Sequence, residues 1–474
     1  MYFFAKVLLV VQTTYLIVVL GLSASLSSQL PPTTTSPTAS ECSSGLEAPV
    51  TSPLSNGLAL TPPMGWSSWN QFGDLIDETL IKSTIDAMIS NGLKDAGFIY
   101  VNLDDGWQRY KGNRSNHPLE VDPVKFPNGM KALADYAHDK GFKLGIYSGP
   151  GDITCAGYTG SLGHEEEDAA MFAEWGIDHL KYDSCCSHAD APKSVVQEIV
   201  LKMSKALLAS GRSIVYHACH CGWADIWEWA ADEGANQWRI GQDISDDFNY
   251  PGNREKYYFD VLDMIDRGND LAQYSGPGHW NDYDMLIIGL NGNSTQLVGT
   301  GASNIEYRTH FSMWAMVASP LLIGSDVRTL DAYELQTLTN KEVIEISQDP
   351  LGISAQTVGV GYETDGDLQV YAKEMSDGSY AVALLNRGTF TAEMSLSPRR
   401  DLLMTWDHYR MRDLWKHKEG LYDVPYTVEV MPHEAKVLRV WEVQANASMC
   451  FFPIKTVGVL SRMLYPIRPS YQYR

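Results

Sequence analysis

The chain has 474 residues, of which 44% are hydrophobic and 20% are charged. This length exceeds one ordinary compact core, so we expect one large domain and a smaller one. The formal net charge of −22 argues against nucleic acid or an anionic membrane as a partner and is compatible with a neutral substrate.

The N-terminal segment has the pattern of a targeting sequence. Lys6 precedes a mostly apolar stretch, Val7–Leu22, and small residues follow at Ser23–Ser25. We interpret residues 1–26 as a signal peptide, with an uncleaved signal anchor as the alternative. Residues 27–57 are rich in Ser, Thr and Pro and are expected to form an extended spacer.

Three N-glycosylation sequons, at Asn113, Asn293 and Asn446, agree with entry into the secretory route. A signal peptide admits a chain to this route without fixing its destination. The extracellular space, a vacuole and a lysosome therefore all stay open, and we expect no membrane contact in the mature form.

Between residues 58 and 350, short apolar segments alternate with amphipathic helical segments such as Glu78–Asn91 and Lys193–Ala209. Eight strand candidates can be counted: Pro63–Trp69, Phe98–Leu103, Lys143–Ser148, Ile177–Tyr182, Ser213–His217, Gln237–Ile240, His279–Leu286 and Pro320–Ile323. Eight strand–helix units predict a (β/α)8 (TIM) barrel. A doubly wound open sheet is the alternative, but no phosphate-binding glycine loop follows the first strand.

After residue 350 the pattern changes from helical to extended. Four β-branched or period-2 runs follow: Leu368–Ala372, Tyr380–Leu385, Tyr426–Val430 and Lys436–Val440. They predict that residues 351–443 form a small antiparallel β-sandwich domain. Residues 444–474 carry no acidic residue, and we assign no role to this tail.

Acidic and aromatic residues concentrate where the predicted barrel strands end. The clearest case is Leu180–Cys185, in which Asp183 closes a strand and Lys181 lies two positions earlier on the same face. The other polar or aromatic strand ends are Trp66, Trp69, Asp104, Asp105, Tyr147, His217–Cys221, Arg239, Asp243, Asp282 and Asp284. One such acid alone is more often a helix cap or an ion-pair partner. Their convergence at one end of a barrel indicates a site, and aromatic rings combined with fixed carboxylates favour a carbohydrate ligand.

Asp183 and Asp243 are the best pair of carboxylates for glycoside hydrolysis. A retaining enzyme needs one ionised carboxylate that attacks the anomeric carbon and a protonated one that donates to the leaving oxygen. Lys181 would favour the ionised form of Asp183. Two neighbouring acids, at positions 246 and 247, would raise the pKa of Asp243, while Arg239 would oppose this. The spacing leaves the assignment of the two roles open.

Seven motifs follow one another along the chain: Met64–Asn70, Asn102–Trp107, Leu144–Ser148, Leu180–Cys185, Trp238–Ile244, Pro277–Leu286 and Tyr409–Trp415. In this order they resemble glycoside hydrolase family 27, the family of secreted and lysosomal α-galactosidases and α-N-acetylgalactosaminidases. The resemblance covers residues 58–443 and implies a catalytic barrel, a C-terminal β-domain and hydrolysis of terminal α-D-galactosyl residues.

By matching position, the resemblance makes Asp183 the nucleophile and Asp243 the acid/base. It assigns Asp104 and Asp105 to the 4- and 6-hydroxyls of a galacto-configured sugar. The other substrate-binding residues that it implies are Lys181 and Arg239 at ring hydroxyls, Trp69 and Met285 as pocket walls, and Tyr147 and Asp284 as lining. For each of these the alternative is a structural residue of the barrel rim.

The segment after the fifth strand departs from the family. Family members usually have Cys-Glu-Trp there, and the Glu contacts the 2-hydroxyl, whereas this chain has Cys219-His220-Cys221-Gly222-Trp223. Either His220 or Gly222 replaces that Glu, and we take His220 as the pocket residue because glycine offers no side chain. An imidazole cannot replace an acceptor-only carboxylate, so recognition at C2 is in question. His217–Cys221 also has the residue types of a zinc site, but neighbours along a strand point to opposite faces and we expect no metal.

The resemblance also implies a disulfide between Cys155 and Cys185, which ties the loop after the third strand to the loop beside the nucleophile. The family's N-terminal bridge is missing, because Gly106 stands where a cysteine is usual. The pairing of the other cysteines stays open: Cys42, Cys186, Cys219, Cys221 and Cys450. Since the total is seven, at least one thiol is free or pairs between chains.

The leading hypothesis is a secreted retaining exo-glycosidase that releases α-D-galactose from an oligosaccharide or glycoconjugate and needs no cofactor. A second keeps this chemistry on another glycon, an α-N-acetylgalactosaminide or a β-L-arabinopyranoside. The third is a non-hydrolytic carbohydrate-binding protein, against which the presence of both acids argues. The sequence leaves the natural substrate, the linkage, the pH optimum and the oligomeric state open, a homodimer included.

Overall fold

The computed structural model describes residues 54–185, 191–250, 258–358, 366–406, 408–423 and 425–443. The signal-peptide prediction, most of the spacer, Asn446, the tail and three cysteines (Cys42, Cys186 and Cys450) lie outside the described residues. Within the described ranges, no helix is long and apolar enough to cross a membrane.

Eight parallel strands form the central sheet, in the order β10-β1-β2-β3-β4-β5-β6-β9. They are β1 (Met64–Ser67), β2 (Tyr100–Asn102), β3 (Lys143–Ser148), β4 (His179–Asp183), β5 (Val215–Cys219), β6 (Gln237–Arg239), β9 (Trp280–Asp282) and β10 (Leu321–Ile323). A parallel bridge between Leu286 and Ile323 joins the two ends of this sheet. All eight predicted strands and the barrel are confirmed.

Two smaller strands, β7 (Asp243–Ile244) and β8 (Tyr258–Phe259), pair in parallel beside the barrel. The predicted seventh strand is shorter than expected, because Asp284 has a left-handed φ of 73° that ends the extended conformation. The predicted first strand also stops early, since Trp69 begins a helix.

Helices connect the strands and cover the barrel. They are α1 (Trp69–Phe72), α2 (Glu78–Ser90), α3 (Gly129–Asp139), α4 (Glu165–Trp175), α5 (Lys193–Ala209), α6 (Val261–Gly268), α7 (Asn304–Met316), α8 (Ala332–Leu338) and α9 (Lys341–Ser347). In α2 the Asp77 side chain caps the first turn by accepting a hydrogen bond from the Leu80 N–H. Ile81, Ile85 and Met88 of the same helix are fully buried, as their spacing predicts.

The C-terminal part is antiparallel, as predicted. A six-stranded sheet has the order β11-β12-β13-β18-β15-β16, and β14 pairs with β17 in a second layer. The strands are β11 (Gln356–Val358), β12 (Leu368–Glu374), β13 (Tyr380–Asn386), β14 (Ala392–Leu396), β15 (Tyr409–Asp413), β16 (Lys418–Tyr422), β17 (Tyr426–Val430) and β18 (Ala435–Glu442). A short helix, α10 (Pro398–Asp401), is an addition to the predicted elements.

The two faces of the six-stranded sheet have different partners. Val382 and Leu384 belong to the domain's own core, whereas Ala381 and Ala383, one position away on β13, belong to the core of the barrel. This alternation results from the period of two in a strand. One face therefore packs against the barrel, and the other is covered by β14 and β17.

Lys373 on β12 is a buried lysine where the six-stranded sheet packs against the barrel. Its side chain is only 4% exposed, and its ammonium donates a hydrogen bond to the Ala315 carbonyl of α7 at 3.3 Å. Burial lowers the pKa of Lys373 to about 7, although Asp349 opposes this. The folded protein therefore releases this proton far below the pH at which the unfolded chain releases it.

Replacement of Lys373 by Met tests this burial. Between pH 7 and 10 the unfolded chain binds more protons at this lysine than the folded protein does, so the wild-type free energy of unfolding should rise with pH through this window. The contribution is at most about 1.4 kcal/mol per pH unit. Denaturant titrations at several pH values should show this rise in the wild type and in a Lys341→Met control, which removes an exposed lysine. Parallel curves for wild type and Lys373→Met would contradict the prediction.

Candidate active site

The carboxyl ends of the barrel strands surround one pocket. Its lining residues are Ser67, Asn102, Leu103, Asp104, His179, Lys181, His217, Arg239, Asp282, Asp284, Met285 and Leu322. Five residues predicted from the sequence are thus brought together: Asp104, Lys181, Arg239, Asp284 and Met285. They come from four different strand ends, which is the usual construction of a site in this fold.

Lys181 organises one side of the pocket. Its ammonium lies 2.9 Å from Asp104 and 3.7 Å from Asp183. Burial alone would lower the pKa of Lys181, but the two carboxylates raise it well above its usual value. The lysine is therefore a fixed cation between two acids. Its neighbour in register on β3 is Tyr147, whose ring centre lies 5.3 Å from the ammonium.

Asp183 is the last residue of β4 and is buried. One carboxylate oxygen accepts a hydrogen bond from the Cys185 N–H at 2.8 Å, and the other faces Lys181. Cys185 has a left-handed φ of 54° and forms the implied disulfide with Cys155. The backbone turn and the disulfide together hold the segment after Asp183.

Arg239 organises the other side of the pocket. Its guanidinium lies 3.0 Å from Asp284 and 3.2 Å from Asp243. Burial opposes ionisation, but both carboxylates raise the pKa of Arg239, which keeps it charged. Asp284 also accepts a hydrogen bond from the Ile244 N–H at 2.8 Å. The Asp243 side chain is 53% exposed, against 2% for Arg239, so solvent reaches this carboxylate.

Asp105 is not among the residues that line this pocket. It is fully buried, and its oxygens accept hydrogen bonds from the Gly106 N–H, the Thr154 hydroxyl and the Ala156 N–H at 2.8–2.9 Å. Burial raises the pKa of Asp105 to about 6. The Tyr147 hydroxyl donates to the Cys155 sulfur. A sugar contact of Asp105 or of Tyr147 stays a prediction. The hydrogen bonds of both residues hold the loop after β3 at residues 154–156.

The structure puts Cys219, to which the sequence assigns no role, opposite Asp183. The two residues are register partners on β5 and β4, and Cys219 is a buried free thiol. His220 is the next residue, and its Nδ1 is hydrogen-bonded to the Ser184 hydroxyl. The alternation of side chains along β5 is enough to predict this position of Cys219, because Cys219 shares a face with His217, which lines the pocket. Cys219 therefore lies on the pocket-facing side of β5, and a sugar contact of His220 stays a prediction.

The structure gives other partners to the residues that could hold a metal. His217 lies 3.0 Å from Asp282, and Cys221 is disulfide-bonded. Among the described residues, one cluster has the spacing of a metal site, Cys155, Asp183 and Cys185. The two sulfurs of that cluster are bonded to each other.

Lys125 binds the backbone at Gly106, the position at which family members usually have a cysteine. A Cβ atom at Gly106 would lie 2.6 Å from the Cβ of Asp74, so the two loops touch at this point. The Lys125 ammonium donates hydrogen bonds to the carbonyls of both residues, each at 2.7 Å. A charged donor therefore joins the loops after β1 and β2.

The remaining predicted residues follow β1, β2 and β9 at this end of the barrel. Trp69 is half-buried at the start of α1. Asn113 and Asn293 are exposed in the loops after β2 and β9, where a glycan could be attached.

Comparison with known proteins decides the family. The family model described as alpha galactosidase A matches residues 61–349, and the one described as alpha galactosidase C-terminal beta sandwich domain matches residues 365–440. The chain belongs to the α-galactosidase (melibiase) family, glycoside hydrolase family 27. It is a glycoside hydrolase.

Individual relatives agree with this membership. Alpha-galactosidase 2 of Arabidopsis thaliana is 44% identical over 386 residues, which cover 81% of this chain and 90% of the relative. The crystal structure of alpha-galactosidase I from Mortierella vinacea has a TM-score of 0.75 at 35% identity, covering 82% of this chain and 98% of that chain. The structure of the Saccharomyces cerevisiae enzyme with raffinose has a TM-score of 0.73 at 31% identity, covering 82% of this chain and 99% of that chain.

Removal of the disulfide beside Asp183 should weaken the fold and the site together. With a sequence separation of 30 between Cys155 and Cys185, replacement of both by Ser is expected to lower the free energy of unfolding by about 3–4 kcal/mol, because the unfolded chain gains entropy. The kcat for hydrolysis of an α-galactoside, the substrate type of the family, should fall as well, because the segment after Asp183 is no longer held by the disulfide. Denaturant titration and steady-state kinetics measure the two effects, and an unchanged unfolding midpoint would contradict this account.

Proposed function

We propose that this glycoside hydrolase is a retaining exo-α-galactosidase, with Asp183 as the nucleophile and Asp243 as the acid/base. The observation that carries the proposal is the Lys181 ammonium, which lies between Asp183 at the end of β4 and the pocket carboxylate Asp104 after β2. The similar proteins are named as alpha-galactosidases, and this supports α-D-galactose as the glycon.

The environments of the two acids support these roles. Asp183 is buried and accepts a backbone hydrogen bond, which fixes the direction of attack. Asp243 is half exposed, so it can exchange its proton with water between the two steps. General acid–base catalysis of this kind contributes roughly 10²–10⁴-fold to the rate.

In the first step, an Asp183 oxygen bonds to the anomeric carbon while the bond from that carbon to the leaving oxygen breaks. The Asp243 proton passes to that oxygen, and the sugar is left as an ester of Asp183. In the second step, a water oxygen attacks the anomeric carbon and gives a proton to Asp243. The ester bond breaks and Asp183 is released as a carboxylate. Two inversions leave the product in the α configuration.

The pocket supports recognition of a terminal galactose. Asp104 and Lys181 provide an acceptor and a donor on nearby strands, which suits the axial 4-hydroxyl and the 6-hydroxyl. Met285 and Trp69 would cover the apolar face of the ring. At C2 the thiol of Cys219 would replace the carboxylate that is usual in the family. The substrate is then the non-reducing end of an oligosaccharide or glycoconjugate.

We also propose that the protein passes through the secretory route. The Cys155–Cys185 disulfide suits an oxidising compartment. The exposed sequons at Asn113 and Asn293 and the apolar N-terminal stretch of the sequence support the same route. Peptide mapping of protein secreted by eukaryotic cells, before and after deglycosylation, tests this proposal.

The substrate proposal is tested with a panel of 4-nitrophenyl glycosides: α-D-galactoside, α-N-acetylgalactosaminide and β-L-arabinopyranoside. We expect the α-D-galactoside to have the highest kcat/KM, and NMR of the first-formed sugar to show the α anomer. Preference for another glycoside would overturn the galactose assignment. A first-formed β anomer would overturn retention.

Variants test the two catalytic assignments. Asp183→Ala and Asp243→Ala should each lower kcat by at least about 10²-fold, because each removes a group that acts in the transition state. Asp326→Ala, at a partly exposed ion pair with Arg328, is the matched control and should keep the wild-type rate. A wild-type rate in either of the first two variants would rule out the role given to that residue.

A further inference from the structure

The side-chain contacts of Asp243 are too few to fix its position, so the neighbouring backbone must contribute. Its side chain is half exposed, and its ion pair with Arg239 is 3.2 Å long. The two-residue strand that it begins pairs with Tyr258–Phe259. Two residues beyond Asp243, the Ser245 N–H donates to the Phe259 carbonyl at 2.7 Å. The acid/base is therefore carried by a short loop whose placement depends on how the next few residues of the chain are held.

Asp246 lies three positions after Asp243 and is 1% exposed. Its carboxylate accepts hydrogen bonds from the Gly292 N–H at 2.7 Å and from the Tyr307 hydroxyl at 3.1 Å. Its backbone N–H donates to the Val298 carbonyl, and its carbonyl accepts from the Gly301 N–H, both at 2.9 Å. Three of these four bonds join Asp246 to one segment, residues 291–301, which we call the tether loop.

The tether loop is built for close approach to Asp246. Gly299 has a φ of 140°, and a Cβ atom there would lie 2.4 Å from the Asp246 carbonyl oxygen. A side chain at position 299 is therefore excluded both by the backbone conformation and by the contact. Asp247 strengthens the attachment, since one of its oxygens accepts from the N–H and the hydroxyl of Thr300 at 3.0 Å.

Another part of the tether loop is attached to the helix that follows β1. The Ser294 hydroxyl donates to the Asn70 carbonyl at 2.6 Å, and the Thr295 hydroxyl donates to the Gln71 carbonyl at 2.8 Å. Both acceptors belong to α1, which begins with Trp69. The loop therefore connects the predicted sugar-stacking residue with the segment that carries the acid/base.

We propose that Asp246 is a positioning residue, which anchors the Asp243 segment to the tether loop and so fixes where the acid/base carboxylate meets the leaving group. This inference rests on the proposed role of Asp243. Asp246 is not one of the residues that line the pocket; it acts through the backbone between positions 243 and 246. Misplacement of a catalytic group by about 1 Å can cost roughly 10²-fold in rate.

The test compares two substrates that differ in their need for the acid. Raffinose has a weakly acidic sugar hydroxyl as leaving group and needs a proton from Asp243, whereas 2,4-dinitrophenyl α-galactoside has an acidic leaving group and needs little help. For Asp246→Ala we expect kcat/KM on raffinose to fall by about 10–100-fold and on the dinitrophenyl substrate by less than about 3-fold. Asp246→Asn, which keeps one acceptor oxygen, should lose less.

Two further variants keep the test decisive. Tyr307→Phe removes the hydroxyl that donates to Asp246 and accepts from the Asn291 N–H of the tether loop, and it should shift the ratio of the two kcat/KM values in the same direction. Asp168→Asn is the matched control, because Asp168 is another buried carboxylate, bonded to Arg114 at 2.7 Å, on a different part of the barrel. It should leave the ratio of the two values unchanged even if it lowers stability.

Equal losses on both substrates for Asp246→Ala and Tyr307→Phe would overturn the inference and leave the proposed function intact. Asp243→Ala serves as the reference and should show the largest change in the ratio. If Asp243→Ala leaves the ratio unchanged, the proposed acid/base role fails, and the inference that depends on it fails with it.

Discussion

Lys181 is the buried cation on which the arrangement of the pocket depends. It holds Asp104 at 2.9 Å and Asp183 at 3.7 Å. Removal of an ammonium from water is costly, and the cost is offset only when the partners are close and well oriented. The same contacts that keep the lysine charged therefore fix the proposed nucleophile before any substrate binds, as preorganised electrostatic catalysis requires.

Arg239 repeats this arrangement on the other side of the pocket. It holds Asp284 and Asp243, so each buried cation serves one carboxylate inside the pocket and one proposed catalytic acid. The two sides differ in exposure, since Asp183 is buried and Asp243 is half exposed. This difference suits a nucleophile that must not be solvated and an acid/base that must exchange protons with water. The barrel strands carry both cations and Asp183, whereas Asp243 lies on the segment after β6.

Much of this could be predicted from the sequence, because each barrel strand is a short apolar run with a polar end. The position of Lys181 two residues before Asp183 is enough to place both on one face. The β-domain is harder to predict. Lys418–Tyr422 contains a glycine and two charges and therefore lacks the pattern of a strand, yet pairing with β15 makes it one.

The parts of the site that the sequence does not predict depend on contacts between distant segments. The position of Cys219 opposite Asp183 follows from the register of β4 with β5, which no local pattern contains. The burial of Asp105 is accompanied by hydrogen bonds from a loop about 50 residues later. In the sequence, Asp246 is recognisable only as an acidic neighbour of Asp243. Its anchoring role is not predictable, because most of its partners lie in a loop whose glycines give no periodic pattern.

Covalent trapping of the intermediate tests the central claim most directly. A fluorinated α-galactosyl fluoride that reacts quickly in the first step and slowly in the second should leave the sugar attached to the enzyme. Mass spectrometry of the digested protein should then find the galactosyl ester on Asp183 and on no other residue. An adduct on a different side chain, or complete turnover by a mechanism that inverts the anomeric carbon, would contradict the account.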